Sequence, residues 1–296
     1  MEIALADEKA YFFPPAITPE QARERAWDYK GSAFGAFTKL WARPKLAEIA
    51  ISYSETRYEP FWHVICRTRY VYDRQREYHL EVPNTEVEAL TIAGERRVVV
   101  RKDDAGYVTL GGTEHCREEE QQEKVLDAQT GEEQPEWVQY LDYEAQEIED
   151  LERFAPEGVF VMPPQIRASS IVREMLGKML RPIQADQMLE ELIKVEQADL
   201  YYRPVYAFEY HWEPKDRYAV IELDGLTGEK RSGGKAVRQQ LHGVVTKELL
   251  FDIGIDTVDL IVPGGGIAMK LARVVVDASR SSLDSKRGKD RLPRRE

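Results

Sequence analysis

The chain has 296 residues, 43% of them hydrophobic and 32% charged. That is enough for one large domain or two modest ones and excludes a globally disordered protein. Its net charge of −12 and the absence of any run of about 18 uncharged apolar residues argue against a nucleic-acid-binding body and an ordinary transmembrane helix.

The N-terminus, MEIALADEKAYFF, is acidic and lacks the basic start and long apolar stretch of a secretory signal. The two cysteines, Cys66 and Cys116, make no disulfide framework. A cytoplasmic, reducing compartment is expected.

The segment YFFPPAITPEQARERA begins at Tyr11, and VFVMPPQIRASSIVREM begins at Val159. Both set Pro-Pro-x-Ile before a helical pattern, with Pro14 and Pro163 lying 149 positions apart. Each helix is followed by Arg-Pro, at Arg43-Pro44 and Arg181-Pro182. Each Arg-Pro opens a second helical stretch, KLAEIAIS in one copy and IQADQMLEELIKV in the other, since proline is favoured at a first helical position. An aromatic strand then follows. Tyr58-Glu59-Pro60-Phe61-Trp62 matches Tyr202-Arg203-Pro204-Val205-Tyr206 at an offset of 144, with each proline at a strand start. Polar turns at DRQREY and PKDRY lead to a second strand in each copy.

These signals predict an α+β protein of two helix-helix-antiparallel-sheet repeats, with an acidic insertion and C-terminal helices. The boundaries are repeat 1 at 1–100, the insertion at 101–157, repeat 2 at 158–234, a C-terminal helical hairpin at 235–279 and a basic disordered tail at 280–296. Within the insertion, RRVVVRKDDAGYVTL predicts a hairpin and EHCREEEQQEKVLDAQTGEEQPEW an acidic loop. VQYLDYEAQEIEDLERF predicts a helix. Between Glu114 and Glu152 lie fifteen acidic and two basic residues; from Arg280 onward there are seven basic and three acidic ones.

The opening ITPEQARERA and the strand-turn YAVIELDGLTGE resemble the two ends of a PepSY-like module, here duplicated. That resemblance implies an α+β unit of the kind associated with ligand binding and with peptidase regulation outside the cytoplasm.

No catalytic constellation stands out among five histidines. RSGGK at Arg231 and PGGGIAMK at Pro263 lack the spacing of a phosphate-binding loop. His63-x-x-Cys66 with His115-Cys116 carries zinc-ligand types, but strand positions three apart face opposite ways. DAQTGEE falls short of a calcium loop. No metal, cofactor or catalytic residue is therefore assigned.

The aromatic alternation remains. Tyr206, Phe208, Tyr210 and Trp212 share one strand face, which either packs on the helices or binds a partner. The expected function is a non-enzymatic adaptor that binds a protein or peptide through Tyr58, Trp62, Tyr202, Tyr206, Tyr210 and Trp212. Phe251 and Ile255 of the C-terminal helices belong to the same candidate surface and suit a homo-oligomer. The alternatives are an enzyme with a cleft between the repeats and a peripheral membrane protein using those helices. A specific nucleic-acid partner is not expected.

Overall fold

The computed structural model describes residues 2–7, 9–34, 45–102 and 105–231. The C-terminal hairpin and tail expected at 235–279 and 280–296, with Phe251 and Ile255, lie outside the described residues.

In chain order the elements are β1 (Glu2–Leu5), β2 (Ala10–Phe12), α1 (Pro19–Tyr29), β3 (Ile49–Val82), β4 (Ala89–Ile92), β5 (Glu95–Val98), β6 (Val100–Lys102) and β7 (Ala105–Asp127). A 3-10 segment (Pro135–Asp142) precedes β8 (Gln146–Glu147), β9 (Val159–Val161), α2 (Ala168–Met179), β10 (Gln187–Trp212), β11 (Arg217–Asp224) and β12 (Lys230–Arg231). One mixed sheet holds all but two of the strands, in the order β12-β11-β10-β3-β7-β6. β1 and β2 add in parallel to the free side of β10, β9 adds in parallel to β3, and β8 caps β2. β4 and β5 form a separate hairpin.

This architecture overturns the expected α+β class with two helix-helix-sheet repeats: strand dominates, around a large mixed sheet. Both second helices are absent. KLAEIAIS contributes one 3-10 turn, Leu46–Glu48, before β3 begins. IQADQMLEELIKV runs into β10, whose pairing with β3 shifts register between Met188 and Glu190 and between Val195 and Gln197. Each bulge adds one residue and breaks the period of two. Met188, Glu191, Val195 and Ala198 then share one sheet face at helix-like spacing along a strand.

The acidic loop is also strand. In β7, Arg69 meets Glu119 and Arg74 meets Glu114 directly across the ladder from β3. Such opposed charges support a strand that composition alone would not. No turn forms at DRQREY, because β3 continues through it to Val82. The expected helix over VQYLDYEAQEIEDLERF is a 3-10 segment followed by the two-residue β8. The same sheet crosses the boundaries drawn at 100/101 and 157/158.

The two halves nonetheless repeat, in a different unit. Phe12 pairs with Tyr202 and Val161 with Tyr58. The following amides, of Phe13 and Met162, donate to Tyr202 and Tyr58 carbonyls, both at 3.0 Å. The amides of Ala16 and Ile17 donate to the Gly225 carbonyl, and those of Gln165 and Ile166 to the Ala128 carbonyl. Gly225 and Ala128 themselves donate to Pro204 and Pro60. Both belong to one type of turn, Asp-x-x-Thr-Gly-Glu. Asp127 Oδ1 accepts from the amides of Gln129 and Thr130, and Asp224 Oδ1 from those of Leu226 and Thr227. Gly131 and Gly228 take φ of +77° and +73°, a conformation that favours glycine.

Each Pro-Pro-x-Ile segment thus docks on the turn of the other half. The offset is 149 up to that segment, 144 along β3 and β10, and 97 at the turns. The second half has a helix-to-strand linker five residues shorter, and the first half a hairpin 47 residues longer. Residues 59 and 203, which are equivalent, face each other across β3 and β10, so a pseudo-two-fold axis passes between them.

Both helices cover one sheet face. Ile171, Val172, Met175 and Met179 of α2 pack on Tyr58, Trp62, Val64 and Leu200. Ala22 and Ala26 of α1 pack on Tyr206, Phe208, Tyr210 and Leu223. Thr18 caps α1, accepting from the Gln21 amide while the Gln21 side chain accepts from its own amide, a reciprocal box.

The turns differ in the space they leave. A Cβ on Gly225 would meet the Pro204 ring and carbonyl at 2.8 Å, whereas the equivalent residue, Ala128, carries its methyl fully buried. Gly225→Ala should therefore cost about 1–3 kcal/mol through overpacking, and Ala128→Gly only about 0.5–1 kcal/mol. Urea denaturation of both variants checks this; equal losses would break the argument.

Candidate functional site

The described aromatic residues expected to bind a partner are core. Tyr58, Trp62, Tyr202, Tyr206, Tyr210 and Trp212 are all buried. The polar ends of five of them are committed within the chain. Tyr58 Oη donates to the Phe13 carbonyl at 3.2 Å and Tyr206 Oη to the Ile17 carbonyl at 2.7 Å. Tyr210 Oη donates to the Ala26 carbonyl. Trp62 Nε1 donates to the Ile166 carbonyl at 2.8 Å and Trp212 Nε1 to Glu48 at 3.2 Å. Burial pushes the Tyr58 phenol up to about 12, with Tyr206 adding to the shift. Tyr58 and Trp62 tie the strands to segments that lead into the helices, so this face is closed to a partner.

The zinc-type residues do not gather. Cys66 lies in the helix-covered core, where burial raises its thiol to about 12. His63 is on the opposite face, and His115 and Cys116 lie on β7. Among the described residues, no group of three or more His, Cys, Asp or Glu side chains is placed to hold a metal ion.

The opposite sheet face carries the polar chemistry. Around the pseudo-axis, Glu59 accepts from Arg203 at 2.8 Å and Arg231 at 2.6 Å and pairs with Arg57 at 2.7 Å. Arg57 also reaches Glu55 at 3.1 Å, and Glu222. Arg203 lies 3.7 Å from Asp224 and 3.8 Å from the centre of the Trp137 ring, a cation–π contact. Tyr140 Oη donates to Asp224 at 2.5 Å.

Burial opposes ionisation of Glu59, but Arg203, Arg231 and Arg57 outweigh it and hold its carboxyl down at about 2. Burial likewise opposes the charge of Arg57, and Glu59 and Glu222 reverse the sign, so its pKa rises. A carboxylate held this low does not carry a proton at neutral pH. The network fastens the repeats and is unsuited to acid–base exchange.

A second polar group lies beside it. His63 Nε2 is 2.7 Å from Glu123 Oε1, and its Nδ1 is buried without a hydrogen-bond partner. Asp199 sits directly across the ladder from His63 and accepts from Gln197 at 2.7 Å. Burial raises the Asp199 carboxyl pKa, against the Gln197 hydrogen bond, His63 and Lys9. Tyr201 stacks on Tyr11, Phe13 and Phe61 alongside. The imidazole is 5% exposed, so a substrate reaches it only if its cover moves.

The sequence pointed to His63 only as a zinc-type residue and to Glu59 and Arg203 only as parts of the repeated strand motif; Arg57, Glu123, Asp199, Glu222 and Asp224 were not singled out. The available signal was parity: Arg57, Glu59 and His63 alternate with buried Tyr58 and Trp62, and Arg203 sits between Tyr202 and Pro204.

What stands open is an arm. Beyond the Asp73–His115 pair, β3 and β7 continue as a ribbon to Val82 and Gly106, without β10 beside it. Tyr78 is 49% exposed, Leu80 45%, Val98 69% and Val100 50%. Among the described residues, β7 pairs on its outer side only with β6, at Ala105 to Tyr107, and near Leu126. No family model matches the chain, and neither a curated protein nor a solved structure matches it significantly.

The ion network contributes to the acid limb of stability. The folded-state value of Glu59 is depressed, so its contribution is complete above the ordinary carboxylate pKa of about 4.3. That contribution is lost as pH falls toward about 2. Glu59→Gln leaves two buried guanidinium groups, Arg57 and Arg203, and the partly exposed one of Arg231 without this carboxylate and should cost about 3–5 kcal/mol at pH 7. It should also flatten the pH dependence between those two values. Urea titrations from neutral to acid pH read both effects; an unchanged slope would exclude Glu59 as its source.

Proposed function

We propose that this is a non-catalytic polypeptide-binding protein and that the β3–β7 arm is its binding element. The carrying observation is the exposure of Tyr78, Leu80, Val98 and Val100 on or beside an extended ribbon, while the aromatic sheet face is covered. A two-stranded ribbon is marginal in water by itself, and exposed apolar clusters mark surfaces that meet other molecules. The junction between the repeats, where an enzymatic cleft was the alternative, is occupied by the ion network.

A cytoplasmic location belongs to the same reading, supported by two free thiols, Cys66 and Cys116. Among the described residues no helix is long and apolar enough to cross a membrane.

The second repeat supplies the control. Its equivalent hairpin closes through Glu213–Lys215 and Asp216. Replacing residues 74–114 with that Glu-Pro-Lys-Asp turn should leave a folded protein with an unchanged sheet signal in circular dichroism. Proteins recovered by affinity capture with the full chain should be missing with the armless variant. Recovery of the same set by both would remove the arm from the function.

A further inference from the structure

We propose that the outer edge of β7 takes up an extended, basic segment of a partner protein as an added β-strand; this rests on the arm being the binding element. The direction of the β7 backbone supports it. Val125 accepts at its carbonyl from the Gln134 amide at 2.8 Å, and the Asp127 amide donates to the Glu132 carbonyl at 2.9 Å. Odd-numbered residues therefore point their backbone groups away from β3. Pairing between β3 and β7 runs from Phe61–Asp127 to Val82–Gly106 without a register shift, so the alternation holds along the strand. From Thr109 to Glu123, every second residue presents an N–H and a C=O outward. Among the described residues no strand pairs with them. At about 3.3 Å per residue, this edge is roughly 45 Å long.

Edges of that length are usually blunted by proline, bulges or shortness. β7 has no proline and no bulge. Charge is the remaining guard, and it is mostly of one sign: Glu114, Glu118, Glu119, Glu120 and Glu123 against Arg117 and Lys124. It repels acidic strands and favours basic ones. Arg69 and Arg74, which partner two of these glutamates, lie on the inner strand β3. An incoming strand meets β7 first.

A second copy of this chain fits poorly over the charged stretch of the edge. Antiparallel self-pairing centred on any residue from Arg117 to Glu120 sets that charge against its own copy, which is destabilising.

The edge also leaves room for side chains. A Cβ on Gly111 would meet nothing within 4 Å, and one on Gly112 would touch only the Tyr78 ring, at 3.4 Å. Interior glycines of a strand often mark close approach of another backbone. Here they leave a gap beside the half-exposed Tyr78 that suits a bulky residue of the added strand.

The test uses the full chain and a labelled synthetic peptide of about ten residues alternating lysine and valine, a strand pattern. Comparators are its glutamate analogue and a lysine peptide N-methylated on alternate amides. Fluorescence anisotropy should show the lysine peptide binding at least about tenfold tighter than either, and weakening as salt is raised. Thr113→Pro and Gln121→Pro each remove an outward N–H without a β3 ladder bond and should also weaken binding about tenfold or more. The N-methylated peptide makes the same test without altering the protein. Equal binding of the N-methylated and plain lysine peptides would reduce the effect to charge and overturn strand addition. Equal binding of the glutamate peptide would overturn the basic partner. Self-association in sedimentation that Gln121→Pro abolishes would replace the partner with a second copy. If the armless variant loses natural partners but the full chain ignores the lysine peptide, this inference fails and the binding role of the arm stands. The armless variant keeps the edge from His115 to Glu123, so equal binding of the lysine peptide by it and by the full chain would place strand addition at the base of β7 and overturn the arm as the binding element.

Discussion

Each Pro-Pro-x-Ile segment hangs on a turn made by the other half of the chain, and the rest of the architecture follows from that exchange. The Ala128 and Gly225 carbonyls each accept two amides from the opposite repeat, while their own amides bind Pro60 and Pro204 in the long strands. A proline at those positions has no ladder donor, but its carbonyl remains available to lock the turn. The segment entering α1 is therefore fixed by β11, and the segment entering α2 by β7. Neither half holds its own helix in place, so the repeats are stable as a pair.

The covered face and the opposite face divide the work around the same axis. Under the helices, equivalent positions keep equivalent tasks: Trp62 and Tyr206 are offset by 144 and donate to the carbonyls of Ile166 and Ile17, offset by 149. On the far face the equivalents have diverged. Arg57 corresponds to Tyr201, Glu59 to Arg203 and His63 to Ala207. Divergence at Glu59 and Arg203 is what permits an ion pair at the axis, since identical charges there would repel. One side of the axis thereby gathers guanidinium and carboxylate groups, and the other stacks Tyr201 with Phe13 and Phe61.

Two anchor points shared by the halves were legible because Pro-Pro-x-Ile and Tyr-x-Pro are short, ordered and local, whereas Arg-Pro opened no second helix where it is described. The repeat's content was misread where strand chemistry departs from simple alternation. Bulges near Glu190 and Gln197 gave β10 a helical rhythm, and the glutamates of β7 looked like a solvated loop because their Arg partners lie some forty to fifty residues away. The closing turns, DAQTGEE and DGLTGEK, are both visible in the sequence, but 47 extra residues in the first hairpin hid their equivalence. Alternation correctly placed Tyr206, Phe208, Tyr210 and Trp212 on one face. Whether that face is core or surface depends on what covers it, which parity does not encode.

The length difference between the hairpins separates what the scaffold needs from what it does not. Eight residues of β11 suffice to close the second repeat against β10, so the scaffold needs no more than a short hairpin at this position. The first repeat extends the same element far past the base pair Asp73–His115. Its outer portion adds nothing to either helix-covered cluster, while it orders a long backbone and leaves Tyr78 and Leu80 half-exposed. Ordering backbone costs about 1–2 kcal/mol per residue, and a ribbon with one edge open recovers little of that by burial. An extension that is costly to the fold and asymmetric between repeats is best understood through what its edge and its apolar tip offer to another chain.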